Sequence, residues 1–262
     1  MTDLLSKIIV FVFGSLAGSF LNVCIYRMPR EISVNKPRRS FCPHCNKQVL
    51  WYDNVPFLGY LMLGGKCRFC KHPISFRYFL VELITAALLV VLYHFFGLSM
   101  RFFVYGALTC ALIVATFIDF DFQIIPDEIT LGGLAVAFIL SLIFPQLHAV
   151  SSRLMSLFQA LIGMLAGGGS IYLIGKFGEA VFKKESMGGG DVKFLAMIGA
   201  LLGWKAAILI FFLAPFFGAV VGIIAKFRHG AEIIPYGPYL SLATFLVILW
   251  GNNILKYFFF YY

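Results

Sequence analysis

The sequence predicts an all-α polytopic membrane protein of about eight transmembrane helices, with a small cytoplasmic module between helices 1 and 2. Three observations carry that prediction. The chain is 61% hydrophobic and only 13% charged, with a mean hydropathy of +0.90, whereas a soluble domain carries about 25% charge. Its apolar runs recur at lengths near the roughly 20 residues that cross about 30 Å of hydrocarbon. Residues 27–78 form the only sizeable soluble stretch and hold two Cys-x-x-Cys pairs among many basic residues.

In order, the apolar runs place helices at about 4–26, 79–97, 101–119, 127–146, 155–177, 190–203, 205–226 and 237–256. The first ends in no small-residue cleavage site and reads as a retained helix rather than a removed leader. The fourth starts at Pro126-Asp-Glu128, a proline and acids where a helix N-terminus favours them. The fifth carries Gly163 to Gly169, which suits close helix approach in lipid. The sixth is short, so whether it spans fully stays open. This divides the chain into a first helix (1–26), a cytoplasmic module (27–78) and a seven-helix membrane domain (79–262).

Orientation follows from the basic residues. Arg27, Arg30, Lys36, Arg38, Arg39, Lys47, Lys66, Arg68, Lys71 and Arg77 gather between helices 1 and 2, and Lys176, Lys183 and Lys193 flank the sixth helix. The positive-inside rule puts both groups in the cytoplasm. The net charge of +9 then reflects a membrane face, and no nucleic-acid partner is expected.

Within the module, Cys42-Pro-His-Cys45 and Cys67-Arg-Phe-Cys70 stand 21 residues apart. Two such knuckles are the signature of a closed tetrahedral zinc site. A disulfide pair is the alternative, disfavoured in a reducing cytoplasm. His44 and His72 read as surface residues because four thiolates already complete the shell. Cys24 and Cys110 sit in apolar runs and read as core.

The chemistry concentrates in Thr116 to Glu128, where Asp119, Asp121, Asp127 and Glu128 lie between two apolar helices with no basic residue among them. Ionisable groups at membrane depth are functional candidates by default. Asp127 and Glu128 have an equal claim as helix-start residues. Asp119 ends a helix, where the dipole opposes a negative charge, so capping does not explain it. Asp191 follows Gly188-Gly189-Gly190, more glycine than a cap requires, and the run suits close passage of a substrate strand. Lys193 beside it either offsets part of the charge or marks the cytoplasmic surface. No Ser-His-Asp or Cys-His set is arranged for nucleophilic attack.

Gly18-Ser-Phe-Leu-Asn-Val23, the two knuckles, Ile118-Asp-Phe-Asp121 with Ile125-Pro-Asp127, Met187-Gly-Gly-Gly-Asp-Val-Lys193 and Pro235-Tyr-Gly-Pro-Tyr-Leu240 together resemble the bacterial type IV prepilin peptidases, over nearly the whole chain and in order. The resemblance implies a bifunctional enzyme of the bacterial inner membrane, serving type IV pilus or type II secretion systems. Such an enzyme cleaves the basic leader of prepilins or pseudopilins and then N-methylates the new terminus with S-adenosylmethionine. It implies Asp119 and Asp191 as the catalytic pair, with Asp127 in reserve. Gly188, Gly189, Gly190 and Lys193 would position substrate. For the methyl donor the weak candidates are Gly64, Gly65, Lys66 and Asn22, the last equally readable as interhelical hydrogen-bond glue. The rivals are a peptidase without the transferase activity, which the cysteine module counts against, and a proton-coupled transporter. Transporters usually show repeated halves and acids at the midplane, and neither is visible here.

Overall fold

The computed structural model describes residues 2–183, 187–229 and 235–259. The chain divides into two compact units, Met1–Ile118 and Asp119–Tyr262. Among the described residues the regular structure is helical, apart from two isolated β-bridges. Among the described residues, six helices are long and apolar enough to cross a membrane.

In the first unit, α1 (Thr2–Arg27) and α3 (Arg77–Phe96) pack along one another, and α4 starts at Met100 and runs to Phe122. Close approach of α1 to α3 depends on Gly18, whose missing Cβ would lie 2.7 Å from the Glu82 Cα. Any side chain there would force the helices apart, and so would separate Asn22 from the carbonyl of Tyr78 that its amide reaches at 3.0 Å. The short α2 (Leu58–Met62) lies in the segment between α1 and α3.

The second unit holds α5 (Asp127–Ile143), α6 (Arg153–Phe182), α7 (Gly189–Leu202), α8 (Trp204–His229) and α9 (Gly237–Phe259). Helix α7 is its centre and packs against α5, α6, α8 and α9. Phe194, Leu195, Ile198 and Ala200 of α7 are fully buried. Its 14 residues rise about 21 Å at 1.5 Å each, and α5 has 17 residues. Helix α7 falls short of a bilayer-spanning length and α5 lies at its lower limit, so six of the about eight expected transmembrane helices qualify on length and composition among the described residues. Helix α5 ends at Ile143, short of the expected 146, because Phe144 precedes Pro145 and leaves helical geometry at φ −126°, ψ 71°. Proline lacks an N–H and disfavours the α region for the residue before it.

The glycines of α6 act as the sequence suggested. Gly163 of α6 faces Gly199 of α7, and a Cβ on either would collide with the other's carbonyl. Large apolar side chains such as Phe13, Leu173 and Phe212 remain exposed on α1, α6 and α8, as a lipid solvent permits.

Candidate active site

Two acidic side chains of the second unit stand out, Asp119 buried and Asp191 half-buried. Asp119, in the last turns of α4, is 6% exposed and accepts the backbone N–H of Gly237 at 2.8 Å. Gly237 opens α9, so the positive end of that helix faces the carboxylate and offsets its unfavourable place at the C-terminal end of α4. A Cβ on Gly237 would lie 2.8 Å from Asp119 Oδ2; only glycine lets the backbone donor come so near.

Asp191 sits in the first turn of α7, after the helix cap at Gly188. Its carboxylate takes the Gly188 N–H, and its pKa is pushed up to about 7, by burial first and then by the charge of Asp119. The two carboxylates therefore feel one another. Among the described residues no salt bridge reaches either of them. Tyr236 completes the group. Its hydroxyl is buried with no hydrogen-bond partner, and burial followed by the charge of Asp191 raises its pKa to about 12.

The other expected residues fall around this pair in different ways. Lys193 does not turn to Asp191. Its ammonium bonds both oxygens of Asp127, at 2.7 and 3.0 Å, and that pairing, ahead of any burial, lowers the Asp127 pKa. Asp127 also accepts from Thr130 at 3.4 Å, and its side chain is 56% exposed. It serves the start of α5 and sits in water. Gly188 caps α7, Gly189 and Gly190 form its first residues, and Gly190 lies against Ile125. Asp121 is exposed.

In the first unit, the sulfurs of Cys42, Cys45, Cys67 and Cys70 all lie within 4.8 Å of one another, with 3.8 Å between Cys42 and Cys70. A tetrahedral metal with bonds of about 2.3 Å needs sulfurs about 3.8 Å apart, so the four can hold one ion. The knuckles are built alike. Asn46 N–H bonds Cys42 O and Lys71 N–H bonds Cys67 O, at 2.8 and 3.0 Å. The bridges Phe41–Gln48 and Lys66–Pro73 close the two turns, and His44 and His72 stack at 4.2 Å. Arg27, 3% exposed, donates to the carbonyls of Ser33, Val34, Pro37 and Arg39 and so orders the strand of chain entering the first knuckle. Sequence reading gave it no role beyond membrane-side charge.

Next to the knuckles lies a cavity of about 520 Å³ with Ser19, Asn22, Tyr26, Tyr60, Tyr78 and Glu82 in its wall. Of the residues proposed for the methyl donor, Asn22 lines it. Gly64 and Gly65 instead make the left-handed turn after α2, at φ 59° and 66°, and Lys66 is in the bridge to Pro73. Sequence reading missed Glu82, Tyr236 and Gly237 as individual groups. Glu82, an acid inside an apolar run, carried a signal that could have found it. Nothing local marked Gly237 as a donor to Asp119.

Comparison with known proteins covers most of the chain. Residues 12–96 match the model of the bacterial peptidase A24 N-terminal domain, and residues 106–223 match the type IV leader peptidase family. A prepilin leader peptidase/N-methyltransferase of Aeromonas hydrophila is 35% identical over 95% of this chain and 92% of its own length. That of Pseudomonas aeruginosa is 35% identical over 94% and 90%, and that of Myxococcus xanthus 38% identical over 86% and 65%. No solved structure matches.

Proposed function

The chain belongs to the type IV leader peptidase family, and on that premise we propose that Asp119 and Asp191 are the pair with which it cleaves the leaders of prepilin-type substrates. It then N-methylates the new terminus. The substrate is a transmembrane segment with a basic leader, met at the cytoplasmic face of a bacterial inner membrane, the side to which the positive-inside rule assigns the acids.

The observation that carries the catalytic assignment is a buried and a half-buried carboxylate in electrostatic contact, each free of any cation in the described structure. Such a pair shares one proton and titrates as a unit. Asp191, at about 7, holds the proton near neutral pH and donates it to the scissile carbonyl. Asp119, facing the head of α9, stays ionised and takes a proton from the attacking water. The bond between carbonyl carbon and nitrogen then breaks, and the leaving amine takes up a proton. Tyr236 stays protonated throughout, with a hydroxyl free to bond the developing oxyanion.

The four thiolates fit zinc, which supplies folding free energy to a segment with little core of its own. The methyl donor is S-adenosylmethionine, which when bound supplies a methyl group on a sulfonium sulfur. Cleavage of a prepilin by purified variants tests the assignment. Asp119→Asn and Asp191→Asn each lower it by ~10²–10⁴-fold or more, while Asp127→Asn retains most activity, because an exposed ion pair contributes only about 0–1 kcal/mol. An Asp119→Asn enzyme that cleaves normally beside a dead Asp127→Asn enzyme makes Asp127 the partner of Asp191 and overturns the pairing.

A further inference from the structure

We propose that the cavity lined by α1, α2, α3 and the cysteine knuckles is the methyl-donor site, with the Glu82 carboxylate set against the donor's sulfonium charge; the proposal rests on the methyltransferase reading above. Glu82 is a buried acid of the first unit, 8% exposed. Its bonds come from neutral donors, the Phe57 N–H at 2.9 Å and the Ser19 hydroxyl. A charge so buried is costly unless something positive meets it. Three cations of the cavity wall, Arg27, Arg30 and Lys47, are engaged with other partners. Arg27 is spent on four carbonyls, and Arg30 bonds the Tyr26 carbonyl at 2.7 Å. Lys47 lies over the Phe69 ring at 5.0 Å. The other lining acid, Asp53, is held by Arg68 in a two-fold bond of 2.6 and 2.7 Å.

A cationic group of a ligand would meet the Glu82 carboxylate, whose bonds come only from neutral donors, and the ligand's size is bounded. A cavity of about 520 Å³ falls in the range of about 300–1,000 Å³ that takes small organic ligands. A sulfonium has no N–H to satisfy and is stabilised by carboxylate oxygen and aromatic faces. Glu82 supplies the first, and Tyr26, Tyr60 and Tyr78 line the same space. The tyrosine rings also suit stacking of an adenine. On transfer the C–S bond breaks with its electrons kept by sulfur, a C–N bond forms to the substrate amine, and the amine releases a proton to water. The product thioether is neutral, so Glu82 favours the donor over the spent product.

The test is direct binding to the full-length, zinc-loaded protein in detergent. Glu82→Gln keeps an acceptor for the Phe57 N–H and removes only the charge. It weakens S-adenosylmethionine by about tenfold or more, on the scale of a partly buried charge pair, and changes S-adenosylhomocysteine by less than about threefold, there being no sulfonium to oppose. Val23→Phe, which fills the cavity wall, abolishes binding of both. Ultraviolet crosslinking of labelled donor to the unaltered protein gives a reading that needs no variant, with label expected on peptides bearing Tyr26, Tyr60 or Tyr78. Equal loss of both ligands in Glu82→Gln, or label confined to residues 119–262, overturns the site. If the unaltered protein neither binds the donor nor methylates a cleaved substrate, the methyltransferase reading itself has failed.

Discussion

Replacing Gly237 by alanine moves the proposed chemistry without touching either aspartate. The added Cβ would stand 2.8 Å from Asp119 Oδ2, 3.2 Å from its Cγ and 3.3 Å from Ile125 Cδ1, against the 3.4 Å where ordinary contact begins. The carboxylate must therefore retreat by about 0.6 Å, the difference between those distances. A 1 Å misplacement of a reacting group can cost about 10²-fold, so a loss of roughly 10–50-fold in kcat follows, with KM little changed. Stability stays within about 1 kcal/mol. Alanine removes some unfolded-state entropy, but the position precedes Pro238, where a side chain disfavours helical geometry. The assay is leader removal from a purified prepilin at equal amounts of folded enzyme, with Gly132→Ala as the control, since nothing lies within 4 Å of that site. A Gly237→Ala enzyme that cleaves at the rate of its parent refutes the role given to the α9 N-terminus.

Two further outcomes follow from the site. The Asp191 pKa is raised from 3.8 to about 7, so the fold favours its protonated form. The stabilising contribution is complete below pH 3.8 and is lost as pH rises through about 7. Asp191→Asn, though inactive, should then melt higher than its parent at pH 8 and show little gain at pH 3.5; equal gains at both pH values contradict the shift. The parent's kcat/KM should fall above pH about 7 as the acid loses its proton. Substituting Cys42, Cys45, Cys67 or Cys70 by serine should remove the bound zinc and make the segment around the knuckles sensitive to protease, as elemental analysis and limited proteolysis would show. Protein purified without chelators and found free of zinc contradicts the metal assignment.

Much of this architecture was legible in the chain itself. Long apolar runs announce membrane helices because no water is present to satisfy an open backbone. The cysteine spacing announces a metal site because both knuckles are local turns whose geometry is nearly fixed by sequence. The helix ends were read to within about five residues: the largest miss came at the C-terminal end of α6, which runs on to Phe182, while the proline after Phe144 stops α5 three residues early. The glycine run from Gly163 signalled close packing, though not the neighbour it meets.

Sequence could separate Asp119, at a helix end, from Asp127, at a helix start, but could not say what either one meets. Their partners come from far along the chain. Lys193, 66 positions from Asp127, draws it into an exposed ion pair. Gly237, 118 positions from Asp119, meets it in the buried interior. Glu82, marked in the sequence only as an acid in an apolar run, gains its partner when the turn before α2 brings the Phe57 N–H to it beside a cavity. Hydropathy and turn chemistry are sums over neighbouring residues, so the sequence determines which elements form. The partner of a charge depends on which helix ends the packed fold brings together, and only the tertiary structure decides that.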